Sequence, residues 1–168
     1  DCEKATYSRI GIMADSHGEP DKIAAALDFL FERGCHCLYH LGDICDSAHP
    51  GTAEACVQQL LDSGTLAIKG NNDHQIEVNN RLRGGNPGHR KDLIPRDILE
   101  FIQELPLVRS CQHALFTHSL PFARELGLSS MVGTMGEIEL NWFFSTHPRG
   151  MLFRGHSHDP ELIFKQDH

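Results

Sequence analysis

Five short polar words, each directly behind a short apolar run, constrain this sequence more than any other feature. Asp15-Ser16-His17 follows Ile10-Gly11-Ile12-Met13-Ala14, and Gly42-Asp43 follows Cys37-Leu38-Tyr39-His40-Leu41. Gly70-Asn71-Asn72-Asp73 follows Leu66-Ala67-Ile68-Lys69, and His118 follows Ala114-Leu115-Phe116-Thr117. Gly155-His156-Ser157-His158 follows Met151-Leu152-Phe153-Arg154. Short apolar runs bounded by turn residues read as buried strands. If these strands are neighbours, their ends collect Asp, His and Asn at one edge of a sheet. Such a gathering would hold metal, and the chain reads as a metal-dependent hydrolase.

The stretches between the first three words are helical. Pro20 suits the first turn of a helix and Gly34 its C-terminal end, with Ile23, Leu27, Leu30 and Phe31 as one apolar face. Thr52 to Ser63 repeats the pattern, with Val57, Leu60 and Leu61 inward and Gly64 as its stop. With strands at Tyr7 to Ala14, Cys37 to Leu41 and Leu66 to Lys69, the alternation predicts a parallel sheet. Such sheets bind ligands beyond the carboxyl ends of their strands.

Residues 74–94 break this alternation. Arg81, Arg83, Arg90 and Lys91 surround Gly84-Gly85-Asn86-Pro87-Gly88, which reads as an exposed loop. It is either a solvated connection or a basic flap that meets an anionic substrate. Beyond it, Pro95 to Leu105 predicts a helix with Ile98, Phe101, Ile102 and Leu105 buried. Leu107 to Arg109 and Ala114 to Thr117 predict a strand pair, and residues 122–134 show little periodicity. Met135 to Ser145 predicts a helix facing inward with Ile138, Trp142 and Phe143. Met151 to Arg154 and Glu161 to Lys165 predict two more strands.

The 168 residues are one domain's worth, 1–168, with the 40% apolar and 23% charged content of a soluble globular protein. No apolar stretch approaches the ~20 residues of a membrane span. The start, Asp1 to Thr6, lacks a signal-peptide core and an initiator Met, so residue 1 need not be the natural start. A formal charge of -8 argues against nucleic acid as the main partner, since that affinity is built on Lys and Arg. The six cysteines (2, 35, 37, 45, 56 and 111) do not resemble a disulfide framework. They read as buried thiols of a reducing, cytoplasmic compartment.

Asp15, His17, Asp43, Asn71, His118, His156 and His158 are the candidate metal ligands. Seven donors exceed one tetrahedral zinc and suit two divalent cations sharing a carboxylate. Histidine and carboxylate without cysteine fit Mn²⁺, Fe, Zn²⁺ or Ni²⁺ better than Ca²⁺, and two such cations, Mn²⁺ first among them, are the expected cofactors. In extended chain, residues two apart point the same way, so Asp15 and His17, and His156 and His158, would each face one centre. Gly42, Gly70 and Gly155 would let backbone approach it closely.

Asp-x-His, Gly-Asp-x-x-Asp (Asp43 and Asp46), Gly-Asn-x-Asp, a lone His and Gly-His-x-His, in that order, resemble the calcineurin-like metallophosphoesterase superfamily. The compact size and the run from Leu99 to Leu107 resemble its small prokaryotic phosphodiesterases related to diadenosine tetraphosphatase. The resemblance implies an α/β fold, a four-layer αββα sandwich with two mixed sheets. It implies one metal on Asp15, His17, Asp43 and His158, and a second on Asp43, Asn71, His118 and His156, bridged by Asp43. Asp43, His118 and Asn72 would form the catalytic group, with a hydroxide between the metals attacking phosphorus in line. The substrate would be a small phosphorylated molecule or nucleotide, as a diester or a monoester.

Several positions depart from the family pattern. Asn72 stands where a His is frequent, and it donates a hydrogen bond but delivers no proton. His74, one residue past the turn, is the candidate replacement acid. Asn72, Arg81 and Arg83 are candidate substrate contacts. Ser47-Ala48 replaces the Arg-Gly of phosphoprotein phosphatases, and Ser119 follows the lone His in place of Gly. Only ten residues follow His158, too few for the family's full second sheet, so the C-terminal strands are expected to be incomplete. His36, His40, His49, His89, His113, His147 and His168 lie outside any ligand pattern. The rival reading is a scaffold that keeps the fold without turnover, and retention of all seven donors favours the enzyme.

Overall fold

The computed structural model describes residues 9–84 and 94–164. Strands β1 (Ile10–Met13), β2 (Cys37–His40) and β3 (Leu66–Ala67) form one sheet, all parallel, in the order β1-β2-β3. Strands β4 (Val108–Cys111), β5 (Ala114–Thr117) and β6 (Met151–Arg154) form a second. There β4 and β5 are antiparallel while β5 and β6 are parallel. Mixed character is thus confined to the second sheet among the described residues.

Side-chain alternation along the strands builds the layers. Cys37, Tyr39 and Leu41 from the first sheet share a cluster with Cys111, Ala114 and Phe116 from the second. Phe116 is stacked between Tyr39 (centroids 3.9 Å apart) and Phe153 (5.4 Å). Leu38 points the other way, into a cluster with the helices α1 (Pro20–Glu32), α2 (Ala53–Asp62) and α4 (Arg96–Glu104), through residues such as Ile23, Leu60 and Ile102. On the far face of the second sheet, Leu115 and Leu152 meet Phe143 of α6 (Glu137–Thr146). Three apolar clusters separate four layers, helices outside and sheets inside, as expected. Phe116→Ala is expected to cost about 3–5 kcal/mol, because the ring is fully buried between two others. Urea unfolding monitored by circular dichroism measures it.

Several expectations are corrected. Each outer helix touches one sheet, so its buried stripe is narrower than its apolar periodicity. Phe31 (43% exposed), Leu61 (49%) and Ile138 (80%) face outward, and Trp142 covers Phe122 at 3.9 Å instead of entering the core. Residues 71–84 form α3 (Asn71–Gly84), not a loop; the basic residues Arg90 and Lys91 lie outside the described residues. Helix α5 (Ala123–Leu126) and a 3-10 turn (Gly127–Met131) occupy the stretch of low periodicity. Glu161 to Phe164 is not a strand: the segment lies exposed beside a groove of about 910 Å³ between α6 and β6. None of the seven candidate ligands lines that groove.

Among the cysteines, Cys35, Cys45, Cys56 and Cys111 are buried free thiols. Burial raises Cys45 and Cys56, the latter to about 11, so both are inert. Cys37, expected to be a thiol like them, is disulfide-bonded. Among the described residues no helix is long and apolar enough to cross a membrane.

Candidate metal centre

The loops that leave the strands are zipped together by backbone. Asp15 N–H donates to the Gly42 carbonyl (3.0 Å), His17 N–H to that of Asp43 (2.9 Å), and Gly155 N–H to that of His118 (3.0 Å). The backbone also bends sharply. Among the described residues, six that are not glycine have φ in the left-handed region: Asp15, His17, Asp43, His156, His158 and Gln112. Five of these six are candidate ligands. Such backbone is unfavourable for L-residues and persists where the surroundings over-determine it, frequently at functional sites. The paired spacing therefore works differently from expectation: Asp15 and His17, and His156 and His158, are not extended.

The donors converge. Ligand atoms of Asp15, His17 and His158 lie within 4.8 Å of one another, and so do those of Asp15, Asp43 and His118. His17 Nε2 stands 3.0 Å from His158 Nε2 and 3.7 Å from Asp43 Oδ2. On the other side, His118 Nε2 stands 3.0 Å from Asn71 Oδ1 and 3.5 Å from Asp43 Oδ1. The His156 ring meets that of His118 at 5.0 Å, while its backbone N–H donates to the Asp15 carboxylate. The deep half is buried, with Asp43 2% and His118 1% exposed; the His158 side is open.

Supporting groups prepare these donors. His118 Nδ1 stands 2.8 Å from the Leu41 carbonyl, and a proton shared with it leaves Nε2 free as a donor atom. Burial first, and His118 second, lower the His156 imidazole from its ordinary value, which favours the neutral form that can ligate. His40 is pushed down to about 3 by burial and then by His118 and His17; its Nε2 stands 2.9 Å from Ser16 Oγ. This anchors the residue between Asp15 and His17, in keeping with a structural role. A side chain at Gly155 would collide with Asp15 Oδ2, at 2.5 Å, so the close approach expected there is real.

The motif letter Asp73 proves to be a stitch. Fully buried, it accepts the N–H groups of Cys45 (3.1 Å) and Gly70 (3.0 Å), and burial raises it to about 7. Asn72 is also engaged, with Asp43 and with Ser47, whose contribution no sequence pattern signalled. His74 Nδ1 lies 3.9 Å from Glu77, in the group where Lys69 Nζ meets Glu77 at 2.6 Å and the Gln103 carbonyl at 2.9 Å. Arg81 and Arg83 sit in the last turn of α3, about 15 Å or more along the helix from Asn71. Ser119 is buried, and its hydroxyl donates to the Gly133 carbonyl.

A four-layer α/β sandwich with a cage of histidine and carboxylate at its strand ends defines a class of metal-dependent phosphoesterases. Residues 9–167 match the calcineurin-like phosphoesterase superfamily domain, and the chain belongs to that family. Two solved structures share the fold. The crystal structure of a metallophosphoesterase from Sphaerobacter thermophilus is 19% identical, with a TM-score of 0.64 over 91% of this chain and 62% of that one. A protein assigned as a diadenosine tetraphosphatase is 21% identical, with a TM-score of 0.52 over 66% of this chain and 49% of that one. This chain therefore spans about half to three-fifths of their length. No curated protein matches it.

Proposed function

We propose that this chain is a dinuclear phosphoesterase that hydrolyses phosphodiester or phosphomonoester bonds of a small molecule or nucleotide. Two donor groups within 4.8 Å support this reading, Asp15 with His17 and His158 and Asp15 with Asp43 and His118; they overlap at Asp15, and the approach of Asp43 to His17 (3.7 Å) and to His118 (3.5 Å) supports it as the shared ligand. Asp15, His17, Asp43 and His158 would hold one cation, and Asp43, Asn71, His118 and His156 the other. His17 Nε2 and His158 Nε2, 3.0 Å apart, would both be offered to the first cation. Mn²⁺ is the proposed ion, and Fe, Zn²⁺ and Ni²⁺ suit the same oxygen and nitrogen donors.

Cations held there would neutralise charge on the phosphoryl oxygens and supply a nucleophile at neutral pH. The chain's own residues do the rest. His118, its Nδ1 against the Leu41 carbonyl, holds its other nitrogen in place. The buried Asp43 side restricts water, and the exposed His158 side admits substrate. A proposed cytoplasmic setting draws on the four free thiols, and the disulfide at Cys37 opposes it. Thiol titration of protein purified without reductant tests whether the disulfide at Cys37 forms.

Metal-free protein given Mn²⁺ is expected to hydrolyse bis-p-nitrophenyl phosphate, p-nitrophenyl phosphate or both, and a preference for the diester would mark a phosphodiesterase. Absence of turnover with metal measurably bound would leave the scaffold reading in its place. Arg81 and Arg83, so far along α3, suit only a long anion such as a dinucleoside polyphosphate. The double substitution Arg81→Glu with Arg83→Glu is expected to lower kcat/KM about tenfold for diadenosine tetraphosphate, and far less for bis-p-nitrophenyl phosphate. Equal losses on both substrates would remove these arginines from the site.

A further inference from the structure

One residue clasps both oxygens of the central carboxylate. The backbone N–H of Asn72 donates to Asp43 Oδ1 at 2.8 Å, and its side-chain Nδ2 donates to Asp43 Oδ2 at 2.7 Å. The other end of the amide is committed too. Asn72 Oδ1 accepts the Ser47 hydroxyl at 2.8 Å, and the Ser47 carbonyl accepts Asn79 Nδ2 at 3.2 Å. Turned over, the amide would set its carbonyl against a carboxylate oxygen, which is repulsive. Ser47 reinforces the observed orientation by offering its proton to the amide oxygen.

We propose that Asn72 is a positioning residue for Asp43, oriented by Ser47, and not a group that meets the substrate or its leaving group. The proposal rests on Asp43 holding metal as described above. The Asp43 carboxylate presents one oxygen to each half of the donor cage. Oδ2 faces His17 (3.7 Å) and Oδ1 faces His118 (3.5 Å). Rotation about the last side-chain bond would spoil both relations, and two N–H donors from a single residue hold it still. Each carboxylate oxygen keeps further acceptor capacity for a cation. The hydrogen-bond partners of ligands typically govern metal affinity by about 10–100-fold.

The test titrates Mn²⁺ into metal-free wild type, Asn72→Ala, Ser47→Ala and Ser47→Thr by calorimetry, with hydrolysis of bis-p-nitrophenyl phosphate followed across Mn²⁺ concentration. Asn72→Ala is expected to weaken Mn²⁺ binding about 10–100-fold. Ser47→Ala is expected to weaken it by about threefold, as the loss of one neutral hydrogen bond implies, and Ser47→Thr to recover most of that. The activity lost at limiting Mn²⁺ should return as Mn²⁺ is raised, with little change in the substrate KM. Wild-type Mn²⁺ affinity in Asn72→Ala, together with a KM raised tenfold or more, would overturn the proposal and assign Asn72 to the substrate. Should Asn72→Ala fail to fold by circular dichroism, unchanged affinity in Ser47→Ala overturns it alone. If wild type itself takes up no Mn²⁺, the metal centre fails and the clasp falls with it, before any variant is compared.

Discussion

Asp43→Asn is expected to abolish hydrolysis and to strip both cations together. The residue is nearly fully buried, and its two oxygens face opposite halves of the donor cage, towards His118 and towards His17. Asparagine keeps the shape but loses the charge and one of the two acceptor atoms. The amide nitrogen it introduces must face either a donor from Asn72 or a cation, and both contacts are repulsive. Because the carboxylate serves both proposed sites, the affinities fall as a pair. The rate is expected to drop by at least about 10³-fold, beyond the 10–100-fold typical of changes one step removed from the ligands. Plasma mass spectrometry on the purified variant counts the metals. Retention of one full equivalent with loss of the other would rule out the bridge.

Gly70→Ala is expected to be nearly as damaging by a different route. A Cβ at Gly70 would run into the backbone nitrogen and Oδ1 of Asp43, and these atoms belong to fixed backbone and a clasped side chain. Nothing flexible can yield, so the loops after β2 and β3 must separate. The loss should reach about 3 kcal/mol, in the range of severe overpacking. For a chain of this size that lowers Tm by roughly 6–12 °C. Gly51→Ala is the control: nothing lies within 4 Å of its added carbon, and its effect should stay within about 0.5 kcal/mol. Calorimetry on both variants makes the comparison. Equal, small shifts would mean that the two loops are not packed as described.

Much of the strand framework beneath the candidate site is legible in the sequence. Apolar runs of four or five residues ending in Asp, Asn, His or Gly marked the strands, because a buried strand must be apolar and its end must turn. Gly34 and Gly64, both at positive φ, mark the ends of α1 and α2 as their positions promised. Helix α3 was not legible. Ile76 is its one buried apolar residue, so periodicity had nothing to detect. It is held by polar ties that cross the fold: Lys69 to Glu77, Asn79 to the Ser47 carbonyl, and the Ile94 N–H to Asn80 Oδ1. Ser47 stood out only as a departure from the Arg-Gly pattern; its contact with Asn72, 25 residues away, was equally invisible.

By itself the order of residues determined where the strands stop, which donors stand at their ends and which glycines must lie near them. These are local properties, decided by apolar run length and by the absence of a Cβ. Only the tertiary structure decided the left-handed backbone at five of the donors, the faces the outer helices bury and the partners of Asn72. Each of those depends on atoms from strands far apart in the chain, meeting at a separation that no short window of sequence contains.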